Sequence, residues 1–371
     1  MNAAVNGSLR VLRYLDLSEE QQRVLDALPF DGNHLVCGPA GSGKSVLAAH
    51  RAVMLALTGT PSTLLCRSNL LRQHVEPAAT ELRPQTRVAT VHSWVGSWYA
   101  HAVGGRPPTR TPGGFDIDWT ALLTEAVGAA EPSTPEALVI DEGQDLPVEF
   151  YRLCRLAGAR VTVLADEHQT ITESRSTTAE IRNILAAEEV GLSENHRTTR
   201  PIAELAEHFR LGGPPPVLPQ REGPTPLVAR YRAFAELTTE LRAHVRHHPE
   251  RSIGVVVRFR ELQMRLLEAF ERAGVPVQAY VGSGQGRYRN IDASRPGVHL
   301  VTRASVKGLE FDTVFVPDCH RDTADPSDPD QRMMYYVLCT RARHELRLGF
   351  AGDRPPPHLD GIPLDLYQPQ P

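Results

Sequence analysis

The segment that most restricts the fold is GPAGSGKS, residues 38 to 45. It follows the apolar run HLVCG (34 to 38) and precedes VLAAHRAVMLAL, whose length and composition indicate a helix. A glycine-rich turn between a strand and a helix surrounds an anion with backbone N–H groups, and this is how phosphate-binding loops hold nucleotides. The alternative is a turn that matches by accident, which average residue usage gives about one chain in a hundred of this length. The pattern therefore predicts a strand, a phosphate loop and a helix.

Short apolar runs alternate with helical patterns in both halves of the chain. The runs are HLVCG, TLLC (63 to 66), ALVID (137 to 141), RVTVLAD (160 to 166), SIGVVVR (252 to 258), GVHLVT (297 to 302), DTVFV (312 to 316) and HELRLGF (344 to 350). Strands that are apolar throughout and separated by helices are typical of parallel sheets covered on both faces. The sequence therefore predicts an α/β chain with two mainly parallel sheets, each flanked by helices.

The length of 371 residues favours two domains. We place the first at residues 1 to 185, the second at 186 to 352, and a Pro-rich extended tail at 353 to 371. Two Gly/Pro-rich segments, 103 to 115 and 211 to 226, are expected to be loops.

The basic residues are unusual, since 38 of the 40 are arginine and only Lys44 and Lys307 are lysine. The net charge of −4 argues against a protein that coats nucleic acid by bulk charge, although a local basic groove remains compatible with it. A compact ammonium fits among phosphates or tightly packed loops where a planar guanidinium does not. The two lysines are therefore candidates for special positions.

The cysteines and the hydropathy pattern bear on the compartment. Five cysteines is an odd number, and none has CxxC spacing, so we expect reduced thiols rather than disulfides or a zinc framework. No apolar run reaches the roughly 20 residues of a membrane span, and the first residues lack the apolar core of a signal peptide. We therefore expect a cytoplasmic protein with no membrane partner.

LVIDEGQD ends an apolar run with Asp141 and Glu142. This pattern is typical of a Walker B site, in which Asp141 would hold Mg²⁺ together with Ser45 and Glu142 would orient the attacking water. An isolated acidic pair is usually a solvated strand end. The phosphate loop upstream favours the catalytic interpretation, with ATP and Mg²⁺ as cofactors.

Six motifs occur in a characteristic order: GPAGSGKS, DEGQD, LADEHQTI, LSENHRTTRPI, TRASVKGLEF and YYVLCTRA. In this respect the chain resembles UvrD/Rep-type superfamily 1 helicases, from LSEEQQ (17 to 22) to about residue 350. The resemblance implies two RecA-like domains with ATP in the cleft between them, ATP hydrolysis, and 3′ to 5′ movement on single-stranded DNA. Only about 110 residues separate Arg197 from Lys307, so the resemblance is to a minimal form without large inserted domains.

The resemblance also implies roles for individual residues. Gln21 resembles the glutamine that reads adenine, and Gln169 resembles the γ-phosphate sensor. Arg197 and Arg341 resemble the arginine fingers, whose guanidinium groups bridge phosphate oxygens as charge develops. Nucleotide contacts extend by the same resemblance to a wider set: Gly38, Gly41, Gly43, Lys44, Ser45, His196, Lys307, Gly308 and Glu310.

The chain departs from this family where nucleic acid would be held. The family commonly stacks bases on aromatic side chains. In this chain Thr172 stands in place of a Tyr, and Ser174 in place of a Trp or Phe. Arg67 replaces an aromatic residue, His196 replaces a Tyr, and Ala304 replaces a His. Arg67 could stack on a base or grip a phosphate, and His196 could stack on adenine. Asn69, His92 and Trp94 are further candidate contacts. Trp94, with Trp98 and Tyr99, could equally pack its helix onto the sheet.

Two functions from different classes remain open. The first is an ATPase that translocates along single-stranded DNA, with RNA as an alternative strand. The second is a nucleotide-driven switch that regulates a protein partner, such as a nuclease or a defence effector, and the missing aromatics and near-neutral charge favour it. An inactive scaffold is disfavoured because the six candidate catalytic residues are all present: Lys44, Asp141, Glu142, Gln169, Arg197 and Arg341.

Overall fold

Two parallel β-sheets organise the chain in the computed structural model. The structure describes residues 13–83, 86–111, 113–129, 136–166, 176–212, 215–281, 291–293 and 295–370. The chain divides into two units, the first ending at Ser193 and the second beginning at Glu194. The predicted fold class is confirmed: each unit is an α/β domain with a parallel sheet and flanking helices.

The first unit contains a six-stranded sheet. Its strands are β1 (His34–Cys37), β2 (Ser62–Cys66), β3 (Arg87–Thr90), β4 (Ala137–Ile140), β5 (Arg160–Ala165) and β6 (Glu188–Gly191), in the spatial order β3-β2-β4-β5-β1-β6. Its helices are α1 (Glu19–Ala27), α2 (Lys44–Leu57), α3 (Asn69–Leu82), α4 (Val91–Ala102), α5 (Trp119–Ala129), α6 (Val148–Leu156) and α7 (Thr178–Leu185). Because all pairings in this sheet are parallel, the segments that follow β1, β4 and β5 emerge at one edge.

The second unit contains a seven-stranded sheet. Its strands are β7 (Leu227–Arg230), β8 (Ser252–Val257), β9 (Val277–Ala279), β10 (Gly297–Thr302), β11 (Phe311–Val316), β12 (Ala342–Phe350) and β13 (Gln368–Gln370), in the order β13-β7-β12-β11-β8-β10-β9. Its helices are α8 (Arg200–Phe209), α9 (Phe234–His247), α10 (Arg260–Arg272), α11 (Pro329–Thr340) and α12 (Pro357–Asp360). The pairings are again parallel.

The central strands of both sheets are buried on both faces, as their uninterrupted apolar sequences predict. β4 is fully buried along its length, and so is β8. Apolar side chains of the first sheet and its flanking helices form one cluster that includes Phe150 and Tyr151 and another that includes Leu47 and Leu64. Burial of both faces fixes the positions of the strands that the candidate catalytic residues follow.

The limits of the two units in the structure differ from those expected. β6 pairs with β1, so the first unit continues past residue 185 to Ser193. Residues 353 to 371 are not simply an extended tail, because α12 buries Leu359 and β13 pairs with β7. The segment belongs to the second unit because its apolar side chains and backbone groups have partners there.

No helix in the described ranges is both long and apolar enough to cross a membrane.

Candidate active site

The loop between β1 and α2 has the backbone that its glycines permit. Gly41 and Gly43 have φ of +83° and +85°, values that disfavour a residue with a Cβ atom. Gly38 is needed for space, because an added Cβ would lie 2.8 Å from both Leu192 Cβ and Ser42 Oγ. α2 begins directly at Lys44, so its unpaired N–H groups face the loop. The predicted phosphate loop is therefore formed as a strand, a tight turn and a helix N-terminus.

Lys44 is nearly buried within this loop. Its ammonium group donates to the carbonyl oxygens of Gly38 and Pro39, both at 2.8 Å, and lies 3.5 Å from Asp166 Oδ2. Asp166 follows β5, the neighbour of β1 in the sheet. The loop thus holds a positive charge at its centre, balanced by one carboxylate from the adjacent strand.

Asp141 follows β4 at the same edge and is only 1% exposed. Burial, together with the nearby Glu142 charge, raises the pKa of Asp141 to about 7, and the Ser45 hydroxyl and the Lys44 charge partly oppose this rise. Its Oδ1 accepts from the Glu142 N–H at 3.1 Å. Its Oδ2 is buried and has no hydrogen-bond partner in the part of the chain that the structure describes. A buried carboxylate oxygen without a partner is costly, so this atom suits a cation.

Glu142 adopts a left-handed conformation with φ of +56°, which is rare for a residue other than glycine. Gln144 Nε2 donates to Glu142 Oε2 at 2.6 Å, and Gln144 Oε1 accepts from the Asp166 N–H at 3.1 Å. The buried Gln144 amide therefore connects the ends of β4 and β5. Unusual backbone angles persist only where surrounding contacts hold them, and they are frequent at functional sites.

Gln21 lies against the loop, but its amide group is already bonded at both ends. Its Nε2 donates to the Ser42 carbonyl at 2.9 Å, and its Oε1 accepts from the Ser18 N–H at 3.0 Å. A Cβ atom on Gly43 would lie 2.3 Å from Gln21 Nε2, which shows how closely the two approach. In this structure Gln21 braces the phosphate loop against the start of α1.

Two of the residues predicted in the second unit meet in an ion-pair cluster. Arg197 Nη2 pairs with Glu310 Oε1. Arg343 pairs with the other carboxylate oxygen, at 3.2 Å from Nε and 3.1 Å from Nη2. Glu310 thus holds two guanidinium groups at the amino ends of β11 and β12.

Arg341 is placed differently from Arg197, since its side chain is only 1% exposed. Its Nε donates to the Val337 carbonyl at 3.1 Å, and its Nη1 donates to the Leu309 carbonyl at 3.4 Å. Lys307 is also buried, and Gly308 has φ of +80°. The guanidinium group of Arg341 therefore fixes the loop that carries Lys307, Gly308 and Glu310.

The side chains predicted to contact nucleic acid differ in exposure and in their hydrogen-bond partners. Arg67 and Asn69 follow β2, and His92 is exposed in the first turn of α4, directly after β3. Arg67 is half-exposed and lies 3.9 Å from Asp145. Asn69 accepts from Arg72 Nε at 3.2 Å.

Trp94 does not have the exposed position that a contact with nucleic acid requires. It is buried, donates from Nε1 to Glu136 at 2.9 Å, and packs edge-on against Phe150. A base cannot stack on an indole that the core covers, so Trp94 serves the packing of α4, the second of its two predicted roles. Tyr99 is buried in the same cluster, and Trp98 packs against it.

The other predicted positions are His196 and a group outside the described residues. His196 is exposed, and its Nε2 lies 3.3 Å from Glu194 Oε2. Gln169, the predicted phosphate sensor, lies outside the described residues, as do Thr172 and Ser174.

Gln144 and Arg343 were not among the residues selected from the sequence. Gln144 stands in DEGQD and Arg343 in TRAR, so each lies two residues after a selected position. Their neighbours in the motifs indicate that both lie near the site. The contacts of Gln144 with Asp166 and of Arg343 with Glu310 are not visible in the sequence, because they join separate segments of the chain.

Fold and site together define a P-loop protein with a tandem RecA-like, helicase-like fold. No known family model matches the chain, and no curated protein matches it. Among solved structures, it is similar to a single-substitution variant of Saccharomyces cerevisiae Dbp5 bound to RNA and ADP BeF3, with 12% identity and a TM-score of 0.56 over 99% of this chain and 95% of that one. This likeness covers both units and concerns the fold.

A second similar structure is the C-terminal domain of a possible DNA helicase from Lactobacillus plantarum WCFS1. It has 22% identity and a TM-score of 0.38, and the match covers 48% of this chain and 100% of that one.

Proposed function

We propose that this chain is an ATPase of the superfamily 1 helicase type, which couples ATP hydrolysis to translocation along single-stranded DNA. The observation that carries the proposal is the arrangement at one edge of the first sheet. The phosphate loop, the buried Lys44, the paired Asp141 and Glu142, and Asp166 all follow neighbouring parallel strands there. Carboxyl ends of parallel strands are the usual place for ligands in this fold class.

The loop binds and orients the nucleotide phosphates. Its backbone N–H groups and the N-terminus of α2 supply partial positive charge, and Lys44 reaches the β/γ-phosphates. In exchange, the ammonium group gives up one or both of its present contacts to Gly38 and Pro39.

Magnesium fits the residues at this edge. Mg²⁺ prefers oxygen ligands, and Asp141 Oδ2 is a buried carboxylate oxygen without a hydrogen-bond partner among the described residues. Asp141 and Ser45 would hold the ion, which would neutralise charge on the phosphates when bound.

Glu142 orients the water that attacks the γ-phosphate, and Gln144 keeps its carboxylate in place through the 2.6 Å bond. Arg197 and Arg341, both in the second unit, are proposed as arginine fingers, and Gln169 as the γ-phosphate sensor. Glu310 holds the Arg197 guanidinium by an ion pair, which limits its free rotation and fixes its direction.

The contact with nucleic acid rests on fewer residues. Arg67, Asn69 and His92 lie after β2 and β3, at the same edge as the phosphate loop. The polarity of 3′ to 5′ follows from the resemblance to UvrD/Rep-type helicases. RNA is the alternative strand, since the Dbp5 structure contains RNA.

A second candidate function is a nucleotide-driven switch that regulates a protein partner. The burial of Trp94 favours it, because this removes an aromatic platform from a chain that already lacks several expected ones. In this case nucleotide binding and hydrolysis remain, but the response is transmitted to a protein.

The ATPase rate, measured with no polymer, with single-stranded DNA and with single-stranded RNA, separates these functions. Stimulation by either strand, reduced by Arg67→Ala, supports the motor. Arg23→Ala, an arginine change on α1, is the matched control. Hydrolysis that neither strand changes would contradict the motor, and hydrolysis that only a co-purifying protein alters would support the switch. No hydrolysis under any condition would contradict both.

A further inference from the structure

A second group of titratable side chains lies in the second unit, apart from the residues assigned to nucleotide chemistry. It consists of His244 and His248, at the C-terminal end of α9, and Glu345 on β12. One potential ligand atom from each lies within 4.8 Å of the others. We propose that these three side chains form a binding site for a transition-metal dication, with zinc as the ion that fits best.

The helix gives the two histidines a common direction. His244 lies in the last turn of α9, and His248 is the residue that ends the helix, with its N–H bonded to the His244 carbonyl at 3.0 Å. Residues four positions apart lie on one face of a helix, and pairs of histidines at this spacing bind zinc in proteins. The ring centroids of His244 and His248 are 4.8 Å apart.

The distances are close to those of a metal site. His244 Nε2 lies 3.8 Å from Glu345 Oε2. Zinc bound tetrahedrally at about 2.0–2.1 Å places neighbouring ligand atoms about 3.3 Å apart. An ion would therefore draw the three ligand atoms together by an ångström or so, which side-chain rotation can supply. His248 is partly exposed, so the site has a path to solvent and room for water as a fourth ligand.

The carboxylate is already oriented for this role. Arg347 donates to Glu345 Oε1 from Nε at 2.9 Å and from Nη2 at 2.7 Å, which leaves Oε2 directed at His244. Arg347 is held in turn by Glu240. Partners of this kind, which fix a ligating group from behind, are typical of metal sites.

Besides Arg347, which is bonded to Glu345 Oε1, a second positive group opposes an ion at this position. Arg251 Nη1 lies 3.3 Å from Glu345 Oε2, the oxygen that the metal would take. However, Arg251 Nε also lies 3.6 Å from Glu250, an exposed carboxylate that can hold the guanidinium after displacement. Glu250 is 3.9 Å from His248 Nδ1 as well, and so adds negative charge beside the site.

The protonation state of His244 is also suitable. Burial lowers the pKa of His244 to about 4, so its imidazole is neutral at neutral pH and binding releases no proton from it. His244 Nε2 is 3.1 Å from the Thr313 hydroxyl. The metal would replace this hydrogen bond and would join the end of α9 to β12.

The test uses the full chain, freed of any affinity tag and stripped of metal with a chelator. Zinc is titrated into it, bound metal is measured after gel filtration, and the thermal unfolding midpoint is recorded at each ratio. We expect one zinc per chain and a rise in the midpoint. In His248→Ala and Glu345→Gln the affinity should fall by more than the ~10–100-fold typical of losing an outer partner.

Two variants serve as controls. His247 is exposed on the same helix, and its Nδ1 donates to the Ala243 carbonyl at 2.7 Å, so His247→Ala should bind zinc normally. Asp141→Asn should also bind normally, which separates this site from the proposed Mg²⁺ site. The inference is overturned if the wild-type chain retains no zinc, if His248→Ala binds as tightly as wild type, or if only Asp141→Asn loses the metal.

Discussion

Lys44 carries the only ammonium group in the phosphate loop, and its present partners are two carbonyl oxygens and Asp166. Lys44→Ala removes the charge that would face the β/γ-phosphates. We expect the turnover number for ATP to fall by at least about 10²–10³-fold, the usual cost of losing one preorganised electrostatic contact.

The same variant should still fold, because the carbonyls of Gly38 and Pro39 can bond water instead. Its thermal unfolding, followed by circular dichroism, provides this control. A Lys44→Ala protein that hydrolyses ATP at the wild-type rate would contradict the site assignment.

Glu142 differs from Lys44 in that its proposed role begins only after ATP is bound. Glu142→Gln keeps the shape of the side chain but removes the carboxylate that orients water. We therefore expect hydrolysis to fall at least about 10²-fold while ATP binding, measured by equilibrium titration, is retained. Glu149→Gln, the same chemical change on α6, is the matched control. Parallel losses of binding and hydrolysis in Glu142→Gln would argue for a structural role.

At the level of single elements, predictability from the sequence follows burial. β4 and β8 are apolar throughout because both faces are covered, and such runs can be recognised directly. β6 (EEVG) and β13 (QPQ) are edge strands with mostly exposed side chains, so little in their composition distinguishes them from loops.

The candidate site follows a related rule. The loop from Gly38 to Ser45 is one continuous segment, so its chemistry is visible in the sequence. The Glu310–Arg343 pair joins residues 33 positions apart, and the two short motifs that contain them do not show that they meet. The sequence alone leaves the role of Trp94 ambiguous, because an aromatic residue at helical spacing suits packing in a core as well as contact with a nucleic-acid strand.

The turn after β4 leaves no room for a side chain at Gly143. A Cβ atom there would lie 2.2 Å from Val163 Cγ1 and 2.8 Å from the Tyr151 hydroxyl, which donates to the Gly143 carbonyl at 2.5 Å. We expect Gly143→Ala to lower the free energy of unfolding by about 1–3 kcal/mol through overpacking, and to slow hydrolysis by displacing Glu142.

The matched control is Gly128→Ala in α5, where an added Cβ meets nothing within 4 Å. Replacing glycine inside a helix should raise stability by about 0.5–1 kcal/mol. Urea denaturation of both variants measures the difference. Equal stability of the two variants would show that the turn after β4 can relax.

His299 gives the second sheet a dependence on pH. It lies within β10, is fully buried, and stacks on Phe311 with ring centroids 5.6 Å apart. Burial lowers the pKa of His299 below its usual value of 6.5. Below pH 6.5 the unfolded chain therefore binds more protons at His299 than the folded chain does. The stability associated with neutral His299 is fully present above pH 6.5 and decreases as the pH falls below it.

We expect His299→Leu to lose less stability than the wild type between pH 7 and pH 5. The comparison requires urea denaturation curves at several pH values, with His247→Leu as the exposed control. Identical pH dependence in His299→Leu and wild type would show that another group controls the acid response of this unit.

At the scale of the whole molecule, the C-terminal segment matters because both of its elements, α12 and β13, pack onto the second unit. α12 buries Leu359, and His358 stacks on Tyr335 with ring centroids 5.3 Å apart. Tyr335 donates to Asp322 at 2.7 Å, and Asp322 also pairs with the buried Arg303. The segment therefore covers an ionic network that water would otherwise reach, while β13 covers the edge of β7.

Truncation after Gly352 should for this reason destabilise the second unit. Loss of buried Leu359 and Ile362 removes roughly 1.5–3 kcal/mol each, and the uncovered edge of β7 should promote association between chains. Truncation after Tyr367 keeps both side chains and removes β13 with Pro371. The residues of β13 are exposed, so this truncation should expose the edge with little loss of stability. Thermal unfolding and gel filtration of the two truncated chains separate these effects, since only the shorter chain should unfold earlier while both should associate. If the shorter chain unfolds at the wild-type temperature, the contacts of α12 contribute nothing to the stability of the unit.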